Sequence, residues 1–108
     1  MIPLLEEYNG LGLGYYGAST SFTGTSEPVR MKSGMSQVSV AIHPASGQTA
    51  RVEFTLSGQD AIDNSTAKWM TWSRGDVSAS TSDAMLAHAY AIRGVSSGGT
   101  ALLEILAR

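Results

Sequence analysis

The sequence predicts a small all-β protein, an antiparallel β-sandwich or barrel preceded by an extended, glycine-rich N-terminal arm. Three observations carry this. Residues 36–42 and 49–56 alternate apolar and polar side chains with the period of a half-buried strand. Further short apolar runs follow at regular spacing, separated by Ser- and Gly-rich turns, the pattern of a sandwich or small barrel. Residues 9–25 (NGLGLGYYGASTSFTGT) hold no charge and no helix or strand period, so they read as an arm outside the body. A length of 108 residues suggests one domain. The arm is assigned to residues 1–30 and the body to 31–108, with the change of character near Ser26 to Gly34.

Ordering about 25 arm residues costs roughly 25–50 kcal/mol of backbone entropy. Offsetting that takes on the order of 1,000–2,000 Å² of apolar burial. A small body supplies too little surface, so the arm is expected to lie across neighbouring chains. Tyr15, Tyr16 and Phe22 are its candidate anchors, because aromatic side chains dominate interface energetics. Leu4 and Leu5 are a candidate terminal anchor. The glycines of GLGLGYYG imitate a phosphate-cradling loop, which needs a strand before it and a helix after it. Neither is expected, so they serve the arm's freedom to follow a surface.

In the body, SQVSVAI places Val38, Val40 and Ile42 on one face. TARVEFTL places Ala50, Val52, Phe54 and Leu56 inward, with Arg51, Glu53 and Thr55 outward. Pro44 and Gly47 lie between the two runs, which together read as an antiparallel hairpin. Residues 57–66 form a polar loop or a single helical turn. KWMTWSRGDV is a strand carrying Trp69 and Trp72, three apart and so on opposite faces, one in the core and one half-exposed. Residues 78–83 are a loop. Within 84–95, Ala, Met and Leu favour helix whereas Tyr90, Ile92 and Val95 favour strand; 87–95 is assigned as strand. SSGG then reads as a second hairpin turn into TALLEILA. Leu103 and Ile105 face one way there and Leu102 and Leu106 the other, as in a central strand or a covered edge.

The charged fraction is 15%, against about a quarter in typical domains, and the net charge is −2. The cations are scattered, which argues against nucleic-acid binding. With no cysteine, disulfides, thiolate metal sites and thiol nucleophiles are excluded. No run approaches a membrane span, and MIPLLEEYNG lacks the basic start and apolar run of a signal peptide. The expected product is soluble and made in the cytoplasm.

No chemistry stands out. His43 precedes a proline, His88 sits among alanines, and no metal-ligand spacing joins them, so no metal or cofactor is expected. No serine lies in a G-x-S-x-G elbow, and nothing selects a pair among Glu53, Asp60, Asp63, Asp76, Asp83 and Glu104, so the chain is expected not to be an enzyme. Arg74-Gly75-Asp76 reads as a turn with Gly75 at positive φ rather than as a cell-adhesion motif. Asn64-Ser65-Thr66 reads as an inert sequon.

The segment from Ala67 to Ser78 has the form W-x-x-W-x-x-G-x-V, built on Trp69, Trp72, Gly75 and Val77. It is joined by Thr49-Ala50-Arg51-Val52-Glu53 upstream, then Ala91-Ile92-Arg93 and the Gly98-Gly99 turn. Together these resemble small structural proteins of tailed-bacteriophage morphogenesis modules, over roughly residues 36–107. The resemblance implies a virion component attached to the outside of the head. The motifs are framework positions and imply no active site. In that setting the expected function is capsid decoration, with the major capsid protein and copies of itself, as a homotrimer, for partners, and no nucleic acid or membrane. An arm adds avidity, and binding only the assembled shell stabilises it by mass action. Trp72 is the remaining candidate interface residue. Alternatives are a tail or neck ring component and an Ig-like module that stacks glycans on an exposed tryptophan; a major coat subunit fits this length less well.

Overall fold

The computed structural model describes residues 1–6, 14–85 and 88–108. Among these, ten strands form two five-stranded sheets packed face to face, so the all-β sandwich is the observed architecture. The strands are β1 (Ile2–Pro3), β2 (Leu5–Glu6), β3 (Tyr16–Phe22), β4 (Val29–Arg30) and β5 (Val38–His43). They continue with β6 (Ala50–Thr55), β7 (Trp69–Thr71), β8 (Thr81–Ala84), β9 (Ala91–Ser96) and β10 (Ala101–Ala107). A single helical turn, α1 (Gln59–Asp63), lies in the 57–66 stretch as expected. The first sheet runs β1-β4-β9-β6-β7 and the second β2-β3-β10-β5-β8. All pairings are antiparallel except β1 with β4.

The alternating runs are strands with the expected apolar residues facing inward. Glu53 and Thr55, expected to be outward and open, are buried too, because Arg51 and Arg93 cover the Glu53 carboxylate and the Thr55 hydroxyl accepts the Ser57 N–H. Val40, Ile42, Ala50 and Val52 are buried with Ile92, Leu103 and Ile105 in one core. Burying each large aliphatic side chain contributes about 1.5–3 kcal/mol. Leu56 departs from the pattern. It falls beyond the end of β6 and is exposed.

Both expected hairpins are corrected. β5 belongs to the second sheet and β6 to the first, so residues 44–49 arch from one layer to the other. The SSGG turn does the same between β9 and β10. Each connection leaves its strands facing one another across the core, because both inner faces are apolar and each must find a partner layer. The two arches sit together. Ser97 Oγ accepts from Thr49 N–H at 2.9 Å and donates to Gln48 Oε1 at 2.9 Å.

Tyr16–Phe22, expected in the arm, is a body strand paired along its whole length with β10. It alternates with small inward residues, Ala18 being buried beside Phe22, and so lacks the bulky apolar period by which strands announce themselves. Residues 1–6 are also held by the body. β1 lies on the edge of the first sheet and β2 on the edge of the second, so the chain steps across the gap at Leu4. The rest of the expected arm, residues 7–13, lies outside the described residues. Residues 78–83 were expected as loop, but Thr81–Ala84 forms the edge strand β8, whose exposed Ser and Asp carry no apolar signal. The last strand is central in its sheet, the first of the two positions its apolar faces allowed.

Candidate binding site

One end of the sandwich opens into a cleft of about 600 Å³. Its walls come from segments that are not regular strand. Met31 to Ser36 leave β4, bend at Gly34 with φ of 84°, and return to β5. Main-chain bonds hold the segment at both ends: Met31 N–H donates to Tyr90 O at 2.9 Å, and Ser36 N–H to Arg108 O at 2.9 Å. Leu4, stepping between the sheets, closes one side, and Met85 at the end of β8 closes another. Leu4, Met31, Met35 and Met85 make an apolar floor, and Arg30, Lys32 and His88 stand on the lining as its cations and imidazole.

The cations of the rim rest on aromatic rings. The Arg30 guanidinium lies 5.4 Å from the centre of the Tyr90 ring, and the Lys32 ammonium 5.2 Å from that of Tyr16. Among the described residues no carboxylate pairs with either. Methionine is unbranched and polarisable, so a floor of three methionines adapts to differently shaped apolar side chains. The chemistry suits an apolar segment that also carries negative charge. Among the described residues, no group of three or more histidine, cysteine or acidic side chains is placed to hold a metal.

The expected interface residues are divided by the structure. Leu4 lines the cleft, and Leu5 on β2 is 59% exposed. Tyr15 accepts from Arg108 Nη1 at 2.8 Å, and Tyr16 lies under Lys32, so both tyrosines are engaged within the chain. Phe22 and Trp72 are 7% and 5% exposed and belong to the core. These two are therefore corrected from interface to core. Each sits on a strand or its extension that points between the layers, and the core needs their bulk.

Trp69 is the half-buried tryptophan, on the outer face of the first sheet. The Arg93 guanidinium stacks 4.1 Å from its ring centre. Arg93 and Arg51 both donate to Glu53, at 2.7 and 2.9 Å. Burial opposes ionisation of Glu53, but hydrogen bonds from Arg93 and Arg51 outweigh it and hold the carboxyl below its ordinary value. The ions of Arg74-Gly75-Asp76 are tied down: Arg74 pairs with Asp83 and Asp76 with Arg51. Gly75 adopts φ of 62°, as the turn requires.

Sequence reasoning missed one cluster. On the outer face of the second sheet, His43 Nε2 lies 2.7 Å from Glu104 Oε1 and His43 Nδ1 lies 2.8 Å from Ser80 Oγ. The three residues are far apart in sequence and match no spacing motif. Only the pairing of β10 and β8 on either side of β5 brings them together.

No protein-family model, curated protein or solved structure matches this chain.

Proposed function

We propose that this chain is a virion structural protein that decorates the outside of an assembled bacteriophage head and docks through the cleft at the end of its sandwich. The observation that carries this reading is the cleft's composition, an adaptable Leu and Met floor beneath cations that lack carboxylate partners among the described residues. Such a surface recognises an extended apolar segment with acidic flanks, which the major capsid protein would supply at a capsomer junction. The framework resemblance over residues 36–107 supports the virion setting. The segments walling the cleft are each anchored to a sheet, so little ordering entropy is lost on docking. A homotrimer at a three-fold position would present several such clefts at once and multiply weak contacts.

The glycan-binding alternative has less to support it. Trp72 is core, and the face of Trp69 that a sugar ring would need is shared with Arg93.

The test uses particles from which the protein has been stripped, with purified protein added back. Wild type should bind and raise the heat resistance of the shell. Met31→Glu combined with Met35→Glu, which brings negative charge into the floor, should remain folded and fail to bind. Shells whose resistance is the same with and without the protein would overturn the decoration reading.

A further inference from the structure

We propose that Ser80 is an activated nucleophile, driven by His43 as general base and positioned by Glu104, that accepts acyl groups from small activated esters. This goes beyond the decoration reading and does not depend on it.

The geometry begins with sheet register. His43 ends β5 opposite Leu102 of β10, and Ile42 pairs with Thr81 of β8. Ser80 therefore falls beside His43 on one flank, and Glu104, two residues along β10 from Leu102, reaches it from the other. All three side chains stand on the outer face of the second sheet. Their neighbours there are small, Ala41 of β5 opposite Ser82 of β8, so the hydroxyl is not walled in. The side chains of His43 and Glu104 are 36% and 40% exposed. Ser80 is exposed as well. Its segment is steadied by Thr81 Oγ1, which donates to Ala79 O at 2.9 Å.

The tautomer follows from the partners. An ionised carboxylate only accepts hydrogen bonds, so the His43 proton next to Glu104 sits on Nε2. Nδ1 then carries its lone pair toward Ser80, and the Ser80 hydroxyl donates to it. A nucleophile within hydrogen-bond reach of a base, itself oriented by a third group, is the arrangement that activates a serine. The ring nitrogens have exchanged the places they occupy in serine proteases, which alters nothing in the proton's route.

The step balances within the ester and the protein. Ser80 Oγ forms a bond to the carbonyl carbon while its proton passes to His43 Nδ1. The carbon–oxygen bond to the leaving alcohol breaks, and that oxygen takes the proton from Nδ1. The products are acyl-Ser80 and the free alcohol, with His43 again neutral. Glu104 holds the ring and stabilises the transient imidazolium.

The experiment incubates the intact protein with p-nitrophenyl acetate, follows p-nitrophenolate release, and locates the acetyl group by peptide mass mapping. General-base assistance is worth about 10²–10⁴-fold, so Ser80 should acylate at least about 100-fold faster than Ser82 on the adjoining strand. Ser80→Ala should remove the label. His43→Gln should slow it by about 100-fold, and Glu104→Gln by about tenfold, with Glu104→Asp recovering part of the rate. A side chain with only a structural role would not produce that graded rate series at constant melting temperature. Wild-type protein that carries its acetyl groups on lysines and none on Ser80 overturns the proposal without any variant. So does a Ser80 acylation rate unchanged in His43→Gln.

Discussion

The ring of Phe22, on β3, presses against the α-carbon of Gly94, on β9 of the opposite sheet. A Cβ placed on Gly94 would stand 2.7 Å from Cε1 of that ring and closer still to Cζ. Gly94 is further fixed by Ser26, whose hydroxyl accepts the Gly94 N–H at 2.8 Å and whose N–H donates to Gly94 O at 2.8 Å.

A double-mutant cycle on this pair should show strong coupling. Gly94→Ala overpacks the core and should cost about 1–3 kcal/mol. Phe22→Ala should cost about 3–5 kcal/mol. In the Phe22→Ala background the added methyl meets open space, so Gly94→Ala should be near neutral there. Urea melts of the four proteins measure the coupling, and additive costs would mean the ring does not occupy this place.

The two tryptophans should part company under substitution. Trp72 is core, and Trp72→Ala should cost about 3–5 kcal/mol. Trp69 contributes its half-buried area and the stack with Arg93, worth about 0.5–1 kcal/mol at a partly exposed site. With Trp69 replaced by phenylalanine, the remaining fluorescence should be that of a buried indole and resist quenching by iodide.

Glu53 should give the protein a distinct acid limb. Its carboxyl is held below the ordinary 4.5 in the folded chain, so its contribution is present above that pH. The contribution fades as pH falls through the lower folded value. Glu53→Gln should destabilise by about 1–3 kcal/mol at neutral pH, because the amide keeps only one accepting oxygen for the two guanidinium groups and carries no charge to balance them. The gap between wild type and variant should narrow steadily below about pH 4.5 in acid titrations of thermal stability. A gap independent of pH would refute the ionised Glu53 cluster.

Two glycines at similar backbone angles should differ in cost. Gly75 has φ of 62° and open space where a Cβ would go, so Gly75→Ala should cost only about 1 kcal/mol. Gly99 has φ of 65°, and a Cβ there would stand 2.6 Å from Cβ of Ala45 on the neighbouring arch. Gly99→Ala should therefore cost more, and Ala45→Gly should relieve part of it. Calorimetric melting of the single and double variants checks the order.

How much of this was legible in the sequence differs from residue to residue. Val38, Val40 and Ile42, like Ala50, Val52 and Phe54, announce their strands and inner faces because apolar side chains recur there with the period of two that a strand imposes, although Glu53 and Thr55 on the opposite face of β6 are buried as well. Their pairing was not legible. Pro44 and Gly47 make a turn whether the chain folds back in one sheet or arches to the other, and only the competition between apolar faces decides. β3 was missed because Ala18 and Thr20 do inside it what larger side chains do elsewhere. Phe22 and Trp72 were read as surface anchors because an aromatic residue in a weakly patterned segment carries no mark of which layer it faces. The cleft assembles from Leu4, Met31, Met35 and Met85, and the His43 cluster from three strands. Neither has a local signature.

The central place of β10 bears on how the protein comes off the ribosome. Its two partners, β3 and β5, are made early and have the edge strands β2 and β8 on their outer sides, yet only residues 101–107 join them to each other. Until that strand emerges, both wait with open edges and apolar faces exposed, a state prone to association with other nascent chains. Long-range pairing of this kind also slows folding. Closure of the second sheet therefore waits for β10, and until then the chain is a natural client for chaperones that shield unpaired strands.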